Sequence, residues 1–183
     1  KNITGLWLLQ ECRRVWNKSG RSLSYTDLTG LALKALPLVS FIDPDHRDFL
    51  TPGNIPERIR AYCQQTGQPK LETDGAVIRS ALESLALKCR QVLEQIEEVL
   101  EKEIKMIHIV GGGVKNVLLC QFIADATQRS VVTGPVEATT FGNILMQAIA
   151  HSEVASLNEA REIVKNSAKI TFFEPGKRDP WDE

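Results

Sequence analysis

Three consecutive glycines, Gly111, Gly112 and Gly113, stand between an apolar run, Met106 to Val110, and a stretch of helical periodicity. Glycine has no Cβ, so such a run can take positive φ and let another group lie flat on the backbone. The first N–H groups of the following helix have no intrahelical partner and sit at the positive end of its dipole. A strand-glycine-helix joint of this kind could form a bed for a nucleotide. It has neither the lysine of GxxxxGK[ST] nor the spacing of GxGxxG, so a Walker phosphate loop and a dinucleotide fold are not indicated. A tight turn with no ligand accounts for the pattern as well.

A second candidate is the charged run Asp43-Pro44-Asp45-His46-Arg47-Asp48. Three carboxylates and a histidine suit a metal or general acid-base chemistry, whereas Pro44 and the sequential packing of charges suit a solvated turn. Cys12, Cys63, Cys89 and Cys120 form no CxxC pair, and His46, His108 and His151 are scattered, so no zinc set is spelled out. The cysteines read as reduced thiols in a cytoplasmic protein. Asn2 and Gln10 are polar groups of the first helical stretch, read here as a helix cap and a solvated side chain. No nucleophile-base pair or carboxylate pair stands out, so no catalytic residue is assigned.

A formal net charge of −1 argues against nucleic acid or an anionic membrane as partner. No apolar run reaches the roughly 18 residues that a membrane span needs. The chain opens at Lys1 within a helical pattern, which is expected of a piece of a longer protein.

The elements that would carry these groups follow from periodicity. Helices are predicted over Ile3–Lys18 with Asn2 as cap, over Ser24–Ala35 with Ser24 and Asp27 as a capping box, and over Ile55–Gln65 with Pro56 in the first turn. A strand is predicted over Leu38–Ile42. The longest pattern is capped by Asp74 and runs to about Lys102, its apolar stripe wider than a coiled-coil seam. Beyond it come a strand Met106–Val110 buried on both faces with His108 inside the core, a helix Val114–Gln128, a strand Val131–Thr133, a helix Glu137–His151 and a helix Asn158–Ser167. Gly142 suggests a close approach to a neighbouring element. Residues 169–183 read as an irregular extension. The alternation of strand and helix is the α/β signature.

The segment IHIVGGGVKNVLLCQFIADATQRSVVTGPVEATTFGNILMQAIA, Ile107 to Ala150, resembles the C-terminal ATP-binding domain of the FGGY carbohydrate kinases. The stretches KNITGLWLLQECRRVW, IPERIRAYCQQTGQP and GAVIRSALESLALKCR resemble that family in the same order, so the likeness covers nearly the whole chain. It implies an α/β fold of the actin-like ATPase, ribonuclease-H-like kind, with helices on a mixed sheet, truncated at the N-terminal side. The nucleotide-binding domain would be residues 1–168, and the N-terminal sugar-binding domain would be absent. The likeness implies transfer of the ATP γ-phosphoryl group to a sugar with Mg²⁺, and within the family points to L-rhamnulose and its 1-hydroxyl. Carried over by position, Asn2, Gln10 and Gly112 match nucleotide-contacting residues, and Asn116 matches the adenosine-motif asparagine. Gly111 and Gly113 flank Gly112 in the same turn. The family's catalytic aspartate, its N-terminal phosphate loop and most sugar contacts have no counterpart here, so the piece alone is expected to be inactive. A kinase for xylulose or glycerol, a non-catalytic actin-like module, or a protein assembling through the Asp74–Lys102 helix are the other readings.

Overall fold

The longest apolar stripe becomes the central support. In the computed structural model, which describes residues 3–176 and 179–182, helix α4 (Asp74–Leu100) buries Val77, Ile78, Ala81, Leu82, Leu85 and Ala86 in one continuous core. α1 (Trp7–Lys18), α2 (Tyr25–Lys34) and α3 (Ile55–Gln65) pack against its first half. α5 (Val117–Thr127) packs along it from the other side and hands the load to the sheet. Burial of Leu82, fully inaccessible, is the type of contact whose truncation to alanine costs about 2–5 kcal/mol. α2 crosses close: a Cβ on Gly75 would stand 2.4 Å from the Leu31 carbonyl oxygen.

Local chemistry sets the helix ends. Ser24 caps α2 in the predicted capping box with Asp27. α4 is capped by Thr73, whose side chain accepts from the Ala76 N–H at 3.1 Å, and not by Asp74. Asp74 instead accepts from Arg60 at 2.7 Å and from Arg21, tying α3 and the end of α1 to α4. α1 begins at Trp7, later than expected, with Leu6 at the cap position. Asn2 lies outside the described residues.

The strand expected over Leu38–Ile42 does not form; the segment is irregular, with Leu38 at φ 55. Its N–H groups find side chains instead of a partner strand. Leu38 donates to Glu83 at 3.0 Å, Phe41 to Gln68 at 2.6 Å and Ile42 to Ser84 at 2.9 Å. Glu83 is buried, which pushes its carboxyl above the usual range, while Arg79 at 2.7 Å pulls the other way.

The sheet has the order β1 (Met106–Ile109), β2 (Ser130–Thr133), β3 (Phe172–Phe173) among the described residues. β1 and β2 are parallel, with Met106 opposite Ser130 and Ile109 opposite Thr133, joined through α5. β3 is antiparallel to β2, so part of the expected irregular tail is sheet, and Phe173 enters the core. Trp181 packs edge-on to Phe122, ring centroids 5.6 Å apart.

β1 departs from the expectation of burial on both faces. Ile107 and Ile109 turn to the core, while Met106, His108 and Val110 are exposed. His108 therefore lies outside the core, in the wall of an apolar groove of about 480 Å³ between the sheet, α6 (Ala138–Ala150) and α7 (Leu157–Ser167). α6 buries none of its residues, and a Cβ on Gly142 would meet open space rather than a neighbour.

Burial pushes the Asp74 carboxyl up, but the two arginines outweigh it and hold it below the usual range. Its pairing therefore stabilises the fold above about pH 4 and is lost as pH falls through the lowered folded value. Asp74→Asn is expected to cost about 2 kcal/mol in urea unfolding at pH 7. The gap to wild type should narrow at about pH 3, checked by the same titration.

Candidate functional site: the glycine joint

The parallel strands β1 and β2 end at one edge of the sheet, and a glycine follows closely after each. Ligands of α/β proteins gather outside such carboxyl ends. After Val110 the chain makes a 3-10 turn over Gly111–Lys115 and then enters α5. Gly111 sits at φ 79, in the left-handed region. Its N–H donates to the Pro135 carbonyl at 3.1 Å, and the Gly134 N–H donates to the Ile109 carbonyl at 2.7 Å. The two turns are thus laced together, β1's exit to β2's exit. Of the three glycines only Gly111 uses positive φ.

Gly112 is exposed, and a Cβ built there would meet nothing within 4 Å. Gly113 faces inward, its built Cβ 3.6 Å from Ile109 Cγ2. The turn is therefore open on one side at Gly112 and packed on the other. Asn116 caps α5, its Oδ1 accepting from the Leu119 N–H at 3.0 Å. With that bond made, the Asn116 side chain still has its NH₂ donors and the second lone pair of its oxygen to offer. Cys120 lies beneath the turn, its sulfur 3.9 Å from the Gly113 carbonyl, and burial pushes its thiol up to about 11, which favours the protonated form.

Gln10 is exposed on α1 beside Arg13, Arg14 and Asn17. α1 packs on α3 and α4 and the glycine turn packs on α5, so Gln10 and Gly112 are carried by separately packed elements. The Gly134-Pro135 pair reads from sequence only as a turn; the structure makes it half of the joint. A glycine just after a strand parallel to β1 is the signal that could have flagged it.

The charged run takes a structural role. Asp43 and Asp45 pair with Lys88 at 3.1 and 3.7 Å, Asp45 also accepts from the Thr4 N–H at 2.8 Å, and His46 caps the short turn Arg47–Phe49. Among the described residues, no group of three or more His, Cys, Asp or Glu side chains is placed to hold a metal ion. No helix among them is long and apolar enough to cross a membrane.

Residues 1–151 match the C-terminal domain of the FGGY family of carbohydrate kinases. The chain belongs to that family. It is 39% identical to a rhamnulokinase of Bacteroides thetaiotaomicron, over 100% of this chain and 37% of that protein. It is 38% identical to a rhamnulokinase of Bacillus subtilis, over 96% of this chain and 36% of that one. This FGGY chain thus spans little more than a third of those relatives' length. Solved structures with the same fold include xylulose kinase from Rhodospirillum rubrum, at TM-score 0.61 and 16% identity over 96% of this chain and 34% of that one. Plasmodium falciparum glycerol kinase with ADP matches at TM-score 0.60 and 13% identity over 92% and 33%. The actin-like ATPase fold implied by the sequence is the fold found, a helix-rich part with a small mixed sheet.

Gly111→Ala, forced into left-handed backbone, is expected to lose about 1 kcal/mol of stability or more, whereas Gly112→Ala should leave stability within about 0.5 kcal/mol of wild type. Denaturant unfolding of both variants checks the contrast.

Proposed function

We propose that the glycine turn is the adenosine bed of an ATP-dependent kinase that phosphorylates the 1-hydroxyl of L-rhamnulose. The observation that carries this is the open space over Gly112, at the carboxyl ends of two parallel strands, in a chain of the carbohydrate kinase family. Support for a nucleotide comes from the glycerol kinase of the same fold, which was solved with ADP. Support for the acceptor comes from the rhamnulokinases at 37 to 39% identity.

In this reading adenine and ribose lie against Gly112, where a side chain would intrude. Gly111 and Gly113 shape the turn. Asn116 offers its side-chain amide to the adenine edge, and Gln10, together with Asn2 outside the described residues, is assigned to the nucleotide by its position in the family pattern. None of these groups is a base. Phosphoryl transfer depends mainly on positioning and on charge stabilisation at the phosphates, so a domain that only holds ATP contributes directly to rate. Mg²⁺ would come bound to the ATP and would supply neutralisation of phosphate charge, and no residue of this chain is assigned to hold it. The base that takes the sugar hydroxyl proton, the phosphate loop and the sugar contacts belong to the N-terminal domain of the longer enzyme. The outer edge of β1 pairs with no strand among the described residues. In this reading the enzyme works in the cytoplasm, where ATP is supplied.

In the full-length enzyme carrying this chain, Gly112→Val should abolish ATP binding by calorimetry while circular dichroism stays at wild type. Unchanged affinity would remove the site assignment. Residues 1–183 alone should give no detectable turnover of L-rhamnulose. The full-length enzyme should prefer that sugar over xylulose and glycerol in a coupled ADP assay, and a preference for either of the others would reassign the acceptor.

A further inference from the structure

Two hydrogen bonds lace the exit of β1 to the exit of β2, and the closeness they impose leaves no room for a side chain at position 134. A Cβ built on Gly134 would stand 2.8 Å from Val110 Cγ1, 3.8 Å from the Ile109 carbonyl oxygen and 3.9 Å from Val110 Cβ. The first of these is closer than carbon atoms tolerate. Gly134 does not have positive φ, so the demand for glycine there is one of contact and not of backbone conformation. Valine is restricted at χ1, so relief requires Val110 to leave its rotamer or the backbone that bears it to shift. That backbone is the residue immediately before Gly111, whose φ of 79 opens the turn. Gly111 is approached from the same side, its built Cβ lying 3.9 Å from the Val136 carbonyl oxygen.

We infer that Gly134 is a positioning residue for nucleotide binding: its missing side chain lets the β2-α6 turn seat against Val110 and hold the Gly111–Gly113 turn in register. The inference rests on the nucleotide reading above and extends it to a residue that touches no nucleotide in that reading. The ligand is a purine nucleoside diphosphate or triphosphate. A side chain at 134 crowds Val110, and the part of that crowding taken up by the Val110 backbone is delivered to the turn one residue later. A displacement of the order of 1 Å in a positioning element can cost up to about a hundredfold in rate. The effect falls on nucleotide affinity and leaves the sugar site alone.

The test uses the full-length kinase carrying this chain, with ADP titrated by calorimetry and KM measured separately for ATP and sugar. Gly134→Ala should weaken ADP binding and raise the ATP KM by roughly tenfold, with the sugar KM unchanged. Val110→Ala combined with Gly134→Ala removes the colliding methyl and should restore both values. If Gly134→Ala alone fails to fold, the double variant should recover both fold and ADP affinity. A folded Gly134→Ala with wild-type ADP affinity overturns the inference, as does a double variant that recovers nothing. An equal loss in ATP and sugar KM would mark general damage and also overturn it. Failure of the wild-type enzyme to bind ADP would instead overturn the nucleotide reading itself.

Discussion

The contact on which the rest depends is α4 against α5. α4 touches the helical layer of α1, α2 and α3 and, through α5, the sheet. Its first half is sunk in the core, from Val77 to Ala86, while its last turns are mostly exposed. Burying apolar surface is non-directional, so the stripe alone would not set an angle between the two layers. Direction comes from specific polar ties at both ends. Arg21 and Arg60 converge on Asp74 at the start, and Arg129 meets Glu97 at 3.2 Å near the end. The Glu97 carboxylate also accepts from the Ile104 N–H at 2.7 Å, which turns the chain out of α4 and into β1.

That turn fixes what the glycine joint can be. β1 enters from α4, β2 enters from α5, and parallel pairing brings their ends level. Two backbone hydrogen bonds then fasten the exits, and one wall of the joint is left open at Gly112. Chain without side chains thus serves two opposite purposes within a few ångströms. At Gly134 it permits protein to close on protein, and at Gly112 it leaves a surface on which something else can lie. The proposed function needs both, since a nucleotide bed that shifts by an ångström would misposition the phosphate it presents.

Much of this was legible from residues alone. α3 falls over the predicted Ile55–Gln65, and the capping box of α2 is where Ser24 and Asp27 place it. Such features are local, decided by residues three or four apart. The misreadings are of another kind. The run Leu38–Ile42 has strand-like residues, but its backbone partners are Gln68, Glu83 and Ser84, which are far along the chain. Phe172-Phe173 sits among prolines and charges, and only the edge of β2 makes it a strand. His108 is apolar in context and exposed in fact, because β1 is an edge strand here. At the site, Gly112 and Asn116 could be picked from the motif, whereas the need for glycine at 134 appears only when Val110 is seen beside it.

The central claim is that the open backbone after β1 receives an adenosine. Amide hydrogen exchange of the full-length kinase, with and without saturating ADP, tests it most directly, because it reads the backbone N–H groups of the turn themselves. The account predicts slowed exchange at Gly112 and Gly113 when ADP is bound, with the buried amides of α4 unchanged. Saturable ADP binding that slows other amides and leaves those of the turn at their free rates would contradict it.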